Sequence, residues 1–380
     1  VSLEANFSSA DYHYMQRAIQ LAKRGRYTTS PNPVVGCVLV SKDKIVGEGW
    51  HIRAGEGHAE VNALSMAGSL AKGCTAYVTL EPCSHYGRTP PCAKALIEAG
   101  VSQVVVAMQD PNPQVSGRGI QLLEDAGIAT RVGLLEQSAQ QINIGFVKRM
   151  RTGFPRVICK LASSLDGKIA MHSGESKWIT SPESRQDVQR LRALSCAIIS
   201  GADTVLVDDA RLTVRYEQLG FAMQDIEPEK LRQPTRIVID SQYRLHPQLA
   251  LFKEISNIIV VRNLQMLQRE PNWPDHVQVI NIAGSSQHPG KVDLNSLLSE
   301  LAKSGVNNLL VEAGGNLTSA FIQAQRVDEL WLYQAPKLMG AQALSLLALP
   351  GVETLAQAPQ LSIIDIRKIG PDIRIRANFN

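Results

Sequence analysis

The chain has 380 residues, 44% hydrophobic and 19% charged, with a formal net charge of +4; the length suggests two domains, and the composition excludes a disordered, collagen-like or coiled-coil chain. No stretch approaches the roughly 20 apolar residues of a membrane-spanning helix, and no block of like charge marks a face for nucleic acid. Six cysteines are too few for a disulfide scaffold and point to a reducing cytoplasm; four of them, Cys37, Cys74, Cys83 and Cys92, crowd the first hundred residues.

The opening stretch VSLEANFSSADYHY lacks the basic and apolar regions of a secretory signal, and residues 1–9 are expected to form a disordered extension. Residues 10–25 read as an amphipathic helix, with Met15, Ala18, Ile19 and Ala22 at helical spacing and Gly25 as its C-terminal cap. Two apolar runs, 34–40 and 44–50, flank the polar Ser41–Asp43 and predict a hairpin. Helix 58–68, strand 74–81, helix 90–100, strand 101–108 and helix 118–127 follow. That alternation predicts a partly parallel sheet with helices on both faces.

A helix over 138–153, basic at Lys148, Arg149 and Arg151, runs into Gly153 and Pro155. The domain boundary is placed there, giving domains 10–152 and 153–380. The second half restarts with PRVICKLASSLDG, the helical SPESRQDVQRLRAL and CAIISGADTVLVD. RIVID, NIIVV, VQVINIA and NNLLVEAGG read as short β-rich runs, and ELWLYQAP with IIDIRKIG–PDIRIRANF as antiparallel strands. The edges of this C-terminal stretch leave a homodimer or higher homo-oligomer open. No fixed-period repeat or low-complexity tract occurs.

His58-Ala59-Glu60 stands where a helix should begin, Pro82-Cys83 closes a strand, and Cys92 opens the next helix. One imidazole and two thiolates supply three zinc ligands and leave the fourth tetrahedral position to water, as catalytic sites do. Helix N-termini favour thiolates. Glu60 can take a proton from that water and return it to a leaving amine, the arrangement of zinc deaminases. The alternatives are a structural zinc staple, for which His85 is the nearby fourth ligand, or unrelated core cysteines. Eight residues, SHYGRTPP, separate the two cysteines; the general deaminase pattern has two. They place His85, Arg88 and Thr89 beside the metal, where such donors suit a small phosphorylated substrate. Cys37 and Cys74 lie in apolar strand runs and read as core residues. Cys159 and Cys196 fall in strand-like runs of the second half and need no special role.

The second half carries no G-x-G-x-x-G after a strand. It does carry Glu312-Ala313-Gly314-Gly315-Asn316 after NNLLV, a turn where backbone can approach a phosphate or simply a tight turn. Arg192 and Arg215 suit a substrate phosphate, or are solvated surface arginines. Asp166, in SSLDG, reads as a turn residue without a catalytic role.

TSPNPVVGCVLV, GHAEVNAL and LEPCSHYGRTPPC together resemble the deaminase half of the bifunctional deaminase/reductase family of riboflavin biosynthesis. KLASSLDGKIA, SGESKWIT and VEAGGNLTSAF resemble its reductase half, so the likeness covers nearly all of residues 10–380. The resemblance implies an α/β chain: a cytidine-deaminase-like three-layer α/β/α domain, then a dihydrofolate-reductase-like α/β domain. It implies two cytoplasmic reactions: zinc-dependent deamination of 2,5-diamino-6-ribosylamino-4(3H)-pyrimidinone 5′-phosphate, then NADPH-dependent reduction of the ribosyl group to ribityl. Carried over, His58, Cys83 and Cys92 hold one zinc ion and Glu60 shuttles the proton. Asn32 matches a substrate position, and His51 belongs either to the same pocket or to an exposed hairpin end. Ala162, Trp178, Thr204, Asp208, Gly314, Gly315, Asn316, Leu317 and Thr318 are implied to contact NADP. Ser176, Arg192, Leu212, Arg215 and Glu312 are implied to contact substrate. The rival reading is a zinc-dependent base deaminase acting on tRNA, which the long cysteine loop and the lack of a basic cluster oppose.

Overall fold

The computed structural model describes residues 7–85, 90–220, 226–266, 268–286 and 288–379. It divides into two compact units, Val1–Gly153 and Phe154–Asn380. Helix α1 (Ser9–Arg24) starts inside the extension expected over residues 1–9. The reason is a reciprocal cap: the Asp11 N–H donates to the Ser8 hydroxyl, and the Ser8 N–H donates to the Asp11 carboxylate at 2.8 Å. Phe7 also packs under the Arg131 guanidinium, 4.4 Å from its ring centre. Of the expected extension, residues 7–9 are thus tied down, and residues 1–6 lie outside the described residues.

Among the described residues the first unit has one five-stranded sheet. Strands β1 (Gly36–Ser41) and β2 (Lys44–Trp50) form the hairpin, and β3 (Thr75–Val78) pairs antiparallel with β1. Strands β4 (Gln103–Val106) and β5 (Ala129–Val132) continue in parallel, giving the order β2-β1-β3-β4-β5. Side chains alternate across it. Cys37, Leu39, Ala76 and Val78 face α2 (Ala59–Ala67), α3 (Cys92–Glu98) and α4 (Arg118–Asp125). Val38, Val40, Tyr77 and Val105 face α1, α5 (Glu136–Ile142) and α6 (Ile144–Thr152). This is a three-layer α/β/α unit. Where a single helix is expected over 138–153 there are two, broken at Asn143, whose amide pairs with both backbone groups of Val34 at 2.8 and 2.9 Å.

In the second unit the described residues form a nine-stranded mixed sheet. Its elements are β6 (Arg156–Ser164), β7 (Lys168–Ala170), α7 (Pro182–Leu194), β8 (Ala197–Gly201), α8 (Ala202–Asp208), β9 (Thr235–Ile239), α9 (Ala250–Lys253) and β10 (Ile258–Asn263). Then come β11 (Val277–Ile282), α10 (Leu294–Lys303), β12 (Asn308–Val311), α11 (Gly315–Gln323), β13 (Glu329–Ala335), β14 (Leu344–Ser345), β15 (Leu361–Ile369) and β16 (Asp372–Phe379). The order is β11-β10-β9-β8-β12-β6-β13-β16-β15, parallel as far as β13 and antiparallel over the last two strands. Strands β7 and β14 pair separately. Val157, Ile199, Ile237 and Leu309 pack under α10 and α11, while Ile158, Ile198, Val238 and Leu310 pack under α7, α8 and α9. Burial on both faces explains the unbroken apolar runs in the sequence. Cys37, Cys74, Cys159 and Cys196 are all buried. No helix among the described residues is long and apolar enough to cross a membrane.

Candidate active sites

Close backbone packing sets the first site. Gly49 of β2 lies so near α2 that a Cβ there would be 2.3 Å from the Ala59 carbonyl oxygen. That contact seats the start of α2, where His58 is the N-cap residue and Glu60 lies in the first turn. Cys83 follows β3, and Cys92 is the first residue of α3. The ligand atoms of His58, Cys83 and Cys92 lie within 4.8 Å of one another. His58 Nδ1 is 3.2 Å from Cys92 Sγ and 3.6 Å from Cys83 Sγ. Two ligands on a tetrahedral zinc, at about 2.0 Å for nitrogen and 2.3 Å for sulfur, would stand about 3.6 Å apart. The donor set therefore fits zinc. Among the described residues the cluster has three members, and His85 is not one of them.

A cavity of about 630 Å³ opens on this cluster and is lined by Asn32, His51, His58, Glu60, Cys83, His85, Asp110 and Asn112, among others. Glu60 is buried, and burial with the Cys83 sulfur beside it pushes its carboxyl up to about 7. Cys83 is held on the thiolate side by Cys92 and His58. His51 is buried, not an exposed hairpin-end residue. Its Nδ1 meets the Gly57 carbonyl at 3.2 Å, which leaves Nε2 to accept from the Asn32 amide at 3.1 Å. Burial and the neighbouring His58 favour the neutral ring. Arg88 and Thr89 lie outside the described residues.

One residue with no sequence signal shapes this cavity. The Glu81 carboxylate accepts the N–H groups of Asp110, Gly117 and Gly119 at 3.0, 2.9 and 2.8 Å. It thereby ties the wall carrying Asp110 and Asn112 to the segment that carries Cys83. Its partners are 29–38 residues away, so only the acid immediately before Pro-Cys could have drawn notice.

In the second unit, a cavity of about 750 Å³ is lined by Ala162, Ser176, Trp178, Arg192, Thr204, Asp208, Leu212, Arg215, Glu312 and Gly314. Asn316 and Leu317 line a neighbouring cavity instead. Gly315 packs on backbone, where a Cβ would meet the Leu346 carbonyl at 2.8 Å. Thr318 is buried, with its hydroxyl directed at the Ala313 carbonyl. Arg192 is no solvated surface arginine: its fork grips Glu312 at 2.7 and 2.8 Å, and Nη1 donates to the Thr213 carbonyl. Arg215 is exposed at the cavity rim. Lys160 of β6, which no motif singles out, lines the same cavity. Burial disfavours its charge while Glu312 supports it. Asp166 fixes its turn, accepting the Ser164 hydroxyl and the N–H groups of Met339 and Gly340.

Comparison with known proteins matches residues 8–108 to the cytidine and deoxycytidylate deaminase zinc-binding region and residues 155–375 to the RibD C-terminal domain. The riboflavin biosynthesis protein RibD of Escherichia coli is 55% identical over 364 residues, covering 96% of this chain and 98% of that one. The protein of the same name from Haemophilus influenzae is 50% identical, covering 97% of each. Acinetobacter baumannii RibD superposes with a TM-score of 0.89 at 44% identity over 98% of this chain and 99% of that one. A Thermotoga maritima diaminohydroxyphosphoribosylaminopyrimidine deaminase/5-amino-6-(5-phosphoribosylamino)uracil reductase superposes with a TM-score of 0.83 at 31% identity over the same shares. With both domain models in order along one chain, and relatives of this identity over almost its whole length, the chain belongs to the RibD family of bifunctional deaminase/reductases of riboflavin biosynthesis.

Proposed function

We propose that the first unit hydrolytically deaminates 2,5-diamino-6-ribosylamino-4(3H)-pyrimidinone 5′-phosphate, and that the second reduces the ribosyl group of the product to ribityl with NADPH. One observation carries the reading: a buried carboxylate, Glu60, lines a small-molecule-sized cavity together with His58 and Cys83, and Cys92 completes their cluster at zinc-ligand spacing. One zinc ion per chain is assigned to His58, Cys83 and Cys92. When bound, zinc supplies Lewis acidity that brings a water's pKa to roughly 7. Glu60, buried and lining the same cavity as His58 and Cys83, takes the proton of the attacking water and hands it to the departing ring amine. Asn32, oriented by His51, offers its amide to the pyrimidine. A structural staple needs a fourth protein ligand, which the described residues do not provide. The tRNA reading is set aside with the family.

In the second unit the Gly314–Gly315 turn and α11 suit the cofactor pyrophosphate, with Ala162, Trp178, Thr204 and Asp208 lining its place. When bound, NADPH supplies the hydride. Arg215, at the rim, is assigned the substrate 5′-phosphate. Glu312, pinned by Arg192, accepts hydrogen bonds from the ribosyl hydroxyls, with Ser176 and Leu212 beside it. The reactions are placed in the cytoplasm. A second copy of the chain is assigned to the free edge of β15, which carries the exposed Leu361, Ile363, Ile364 and Ile366.

The test is to follow ammonia and reduced cofactor after adding the diaminopyrimidinone phosphate with and without NADPH. Ammonia appears in both cases, and NADPH is consumed only after deamination. Glu60→Gln keeps its zinc and releases no ammonia; turnover in that variant, with metal verified by elemental analysis, would overturn the assignment.

A further inference from the structure

Helix α7 supplies one wall of the second unit's substrate region. Its Glu183, Gln186, Gln189 and Arg192 line a cavity of about 560 Å³, which shares Lys160, Arg192, Arg215 and Glu312 with the larger cavity described above. The Gln189 side-chain oxygen also accepts the Arg215 N–H at 2.9 Å, so α7 sets both arginines of the site. Its C-terminal half is held by the pair of Arg192 with Glu312. Its N-terminal half is held by the last strand of the chain, β16.

Strand β16 turns the usual pattern of a sheet inside out. Asp372 and Arg374, two residues apart and so on one face, are buried, while Ile373 between them is 41% exposed. The inward face is polar because it meets α7. The Asp372 carboxylate accepts the Ser181 N–H at 2.8 Å and the Ser184 hydroxyl at 2.6 Å. Ser181 is the N-cap residue of α7, and its own hydroxyl accepts the Ser184 N–H at 3.2 Å. One turn on, Arg374 donates through Nη1 to Asp187 at 2.7 Å and through Nη2 to Asp365 of β15 at 2.8 Å. The buried Tyr333 hydroxyl of β13 donates to the same Asp187 oxygen at 2.8 Å. Gly370, just ahead of β16, has a φ of +58°, and a Cβ there would lie 2.8 Å from the Glu183 carboxyl carbon. Each of the first two turns of α7 is thus tied to β16 by a directional, charge-assisted bond. Apolar side chains of similar volume would hold the two layers at least as firmly. What these bonds add is a fixed rotation and axial position of the helix, carried along it for about 7.5 Å from Asp187 to Arg192.

We propose that Asp372 and Arg374 are positioning residues of the reductase: they set α7, and through it Arg192 and the segment carrying Arg215, against Glu312 and the substrate. This rests on the reading of the second unit as a reductase with its substrate at that wall. Thr204 and Gly314, on the cofactor side of the cavity, belong to α8 and to the N-cap of α11. The clamp therefore acts on the substrate and on the rate, and leaves NADPH binding alone.

The test is steady-state reduction of the deaminated substrate by the full chain and by Asp372→Ala, Asp372→Asn, Arg374→Met and Arg374→Lys. Calorimetric NADPH binding, ammonia release and thermal melting are followed on the same preparations, and rates are counted per NADPH-binding site. Asp372→Ala and Arg374→Met lower kcat/KM for the substrate about 10–100-fold, the scale of a reacting group displaced by up to about 1 Å. Their NADPH affinity and ammonia release stay at the wild-type level. Asp372→Asn keeps an oxygen with two lone pairs for the Ser181 N–H and the Ser184 hydroxyl and recovers most of the rate. Arg374→Lys, which keeps the charge without the fork, falls between. A lower melting temperature with an unchanged kcat/KM would make both residues merely structural and overturn the proposal, as would Asp372→Asn being as slow as Asp372→Ala. A wild type that consumes no NADPH with the deaminated substrate would overturn the reductase reading and the proposal with it.

Discussion

Gly49→Ala tests whether backbone packing behind the zinc cluster sets its geometry. The added Cβ would lie 2.3 Å from the Ala59 carbonyl oxygen and 2.4 Å from the Ala63 nitrogen, where ordinary contact begins at 3.4 Å. Both atoms are helix backbone and have no rotamer to change, so α2 must retreat by about 1 Å. His58 and Glu60 ride on its first turn; Cys83 and Cys92 sit on other segments and stay behind. A metal site tolerates about 0.2 Å in its ligand distances, so a shift of that size weakens or breaks the bond to His58. A displacement of about 1 Å also costs on the order of 10²-fold in a positioned reaction. The packing strain itself costs about 1–3 kcal/mol. Purified Gly49→Ala is therefore expected to melt lower, to carry less than one equivalent of zinc by elemental analysis, and to release ammonia far more slowly even with zinc added back. A variant with full zinc and wild-type ammonia release would show that the contact does not govern the site.

Three further expectations concern other parts of the chain. Glu312→Gln leaves Arg192 nearly buried against a neutral partner, a loss of about 3–5 kcal/mol for a broken buried pair; reduction should fail and the melting temperature drop while ammonia release persists, and unchanged melting would refute the pairing. Burial alone would raise the Asp11 carboxyl, but the Ser8 N–H, the Tyr77 hydroxyl at 2.7 Å and Arg131 at 3.2 Å outweigh it and hold it below the usual range. Its contribution is thus complete above the unfolded value of about 3.9 and vanishes as pH falls through the lower folded value; in urea titrations Asp11→Asn should flatten that acid limb, and an unaltered slope would count against the network. Replacing Ile363 and Ile366 together by Lys puts charge on the exposed edge strand and should shift the chain towards monomer in sedimentation; an unchanged assembly would move the interface elsewhere.

The architecture was legible wherever burial imposed a period on the sequence. The hairpin, the alternating helices and strands of the first unit, and the two-faced parallel strands of the second all carry such a pattern. Strand β5 was not legible, because an edge strand with exposed and half-buried side chains has no face that must be apolar. The break between α5 and α6 escaped notice because Asn143 is spent on the backbone of Val34, 109 residues away. The early start of α1 was readable in principle: Ser8 and Asp11 have the spacing of a capping box.

The two sites differ in legibility for a chemical reason. A metal accepts few donor types, so His58, Cys83 and Cys92 stand out by residue identity, and their spacing at a helix start, a strand end and a second helix start adds geometry. A dinucleotide is held largely by backbone and shape, for which a sequence offers only glycines. Glu312 illustrates the gap: beside Gly314 it could be read as part of a turn, yet its carboxylate is paired with Arg192, 120 residues earlier in the chain. Glu81 makes the same point within the zinc site, since its work is to accept backbone N–H groups that any residue can supply. Four cysteines crowded at one end of the chain therefore divide by what surrounds them. Cys83 lines a cavity with an imidazole and a carboxylate and Cys92 completes its cluster with His58, whereas Cys37 and Cys74 are enclosed in the first unit's interior.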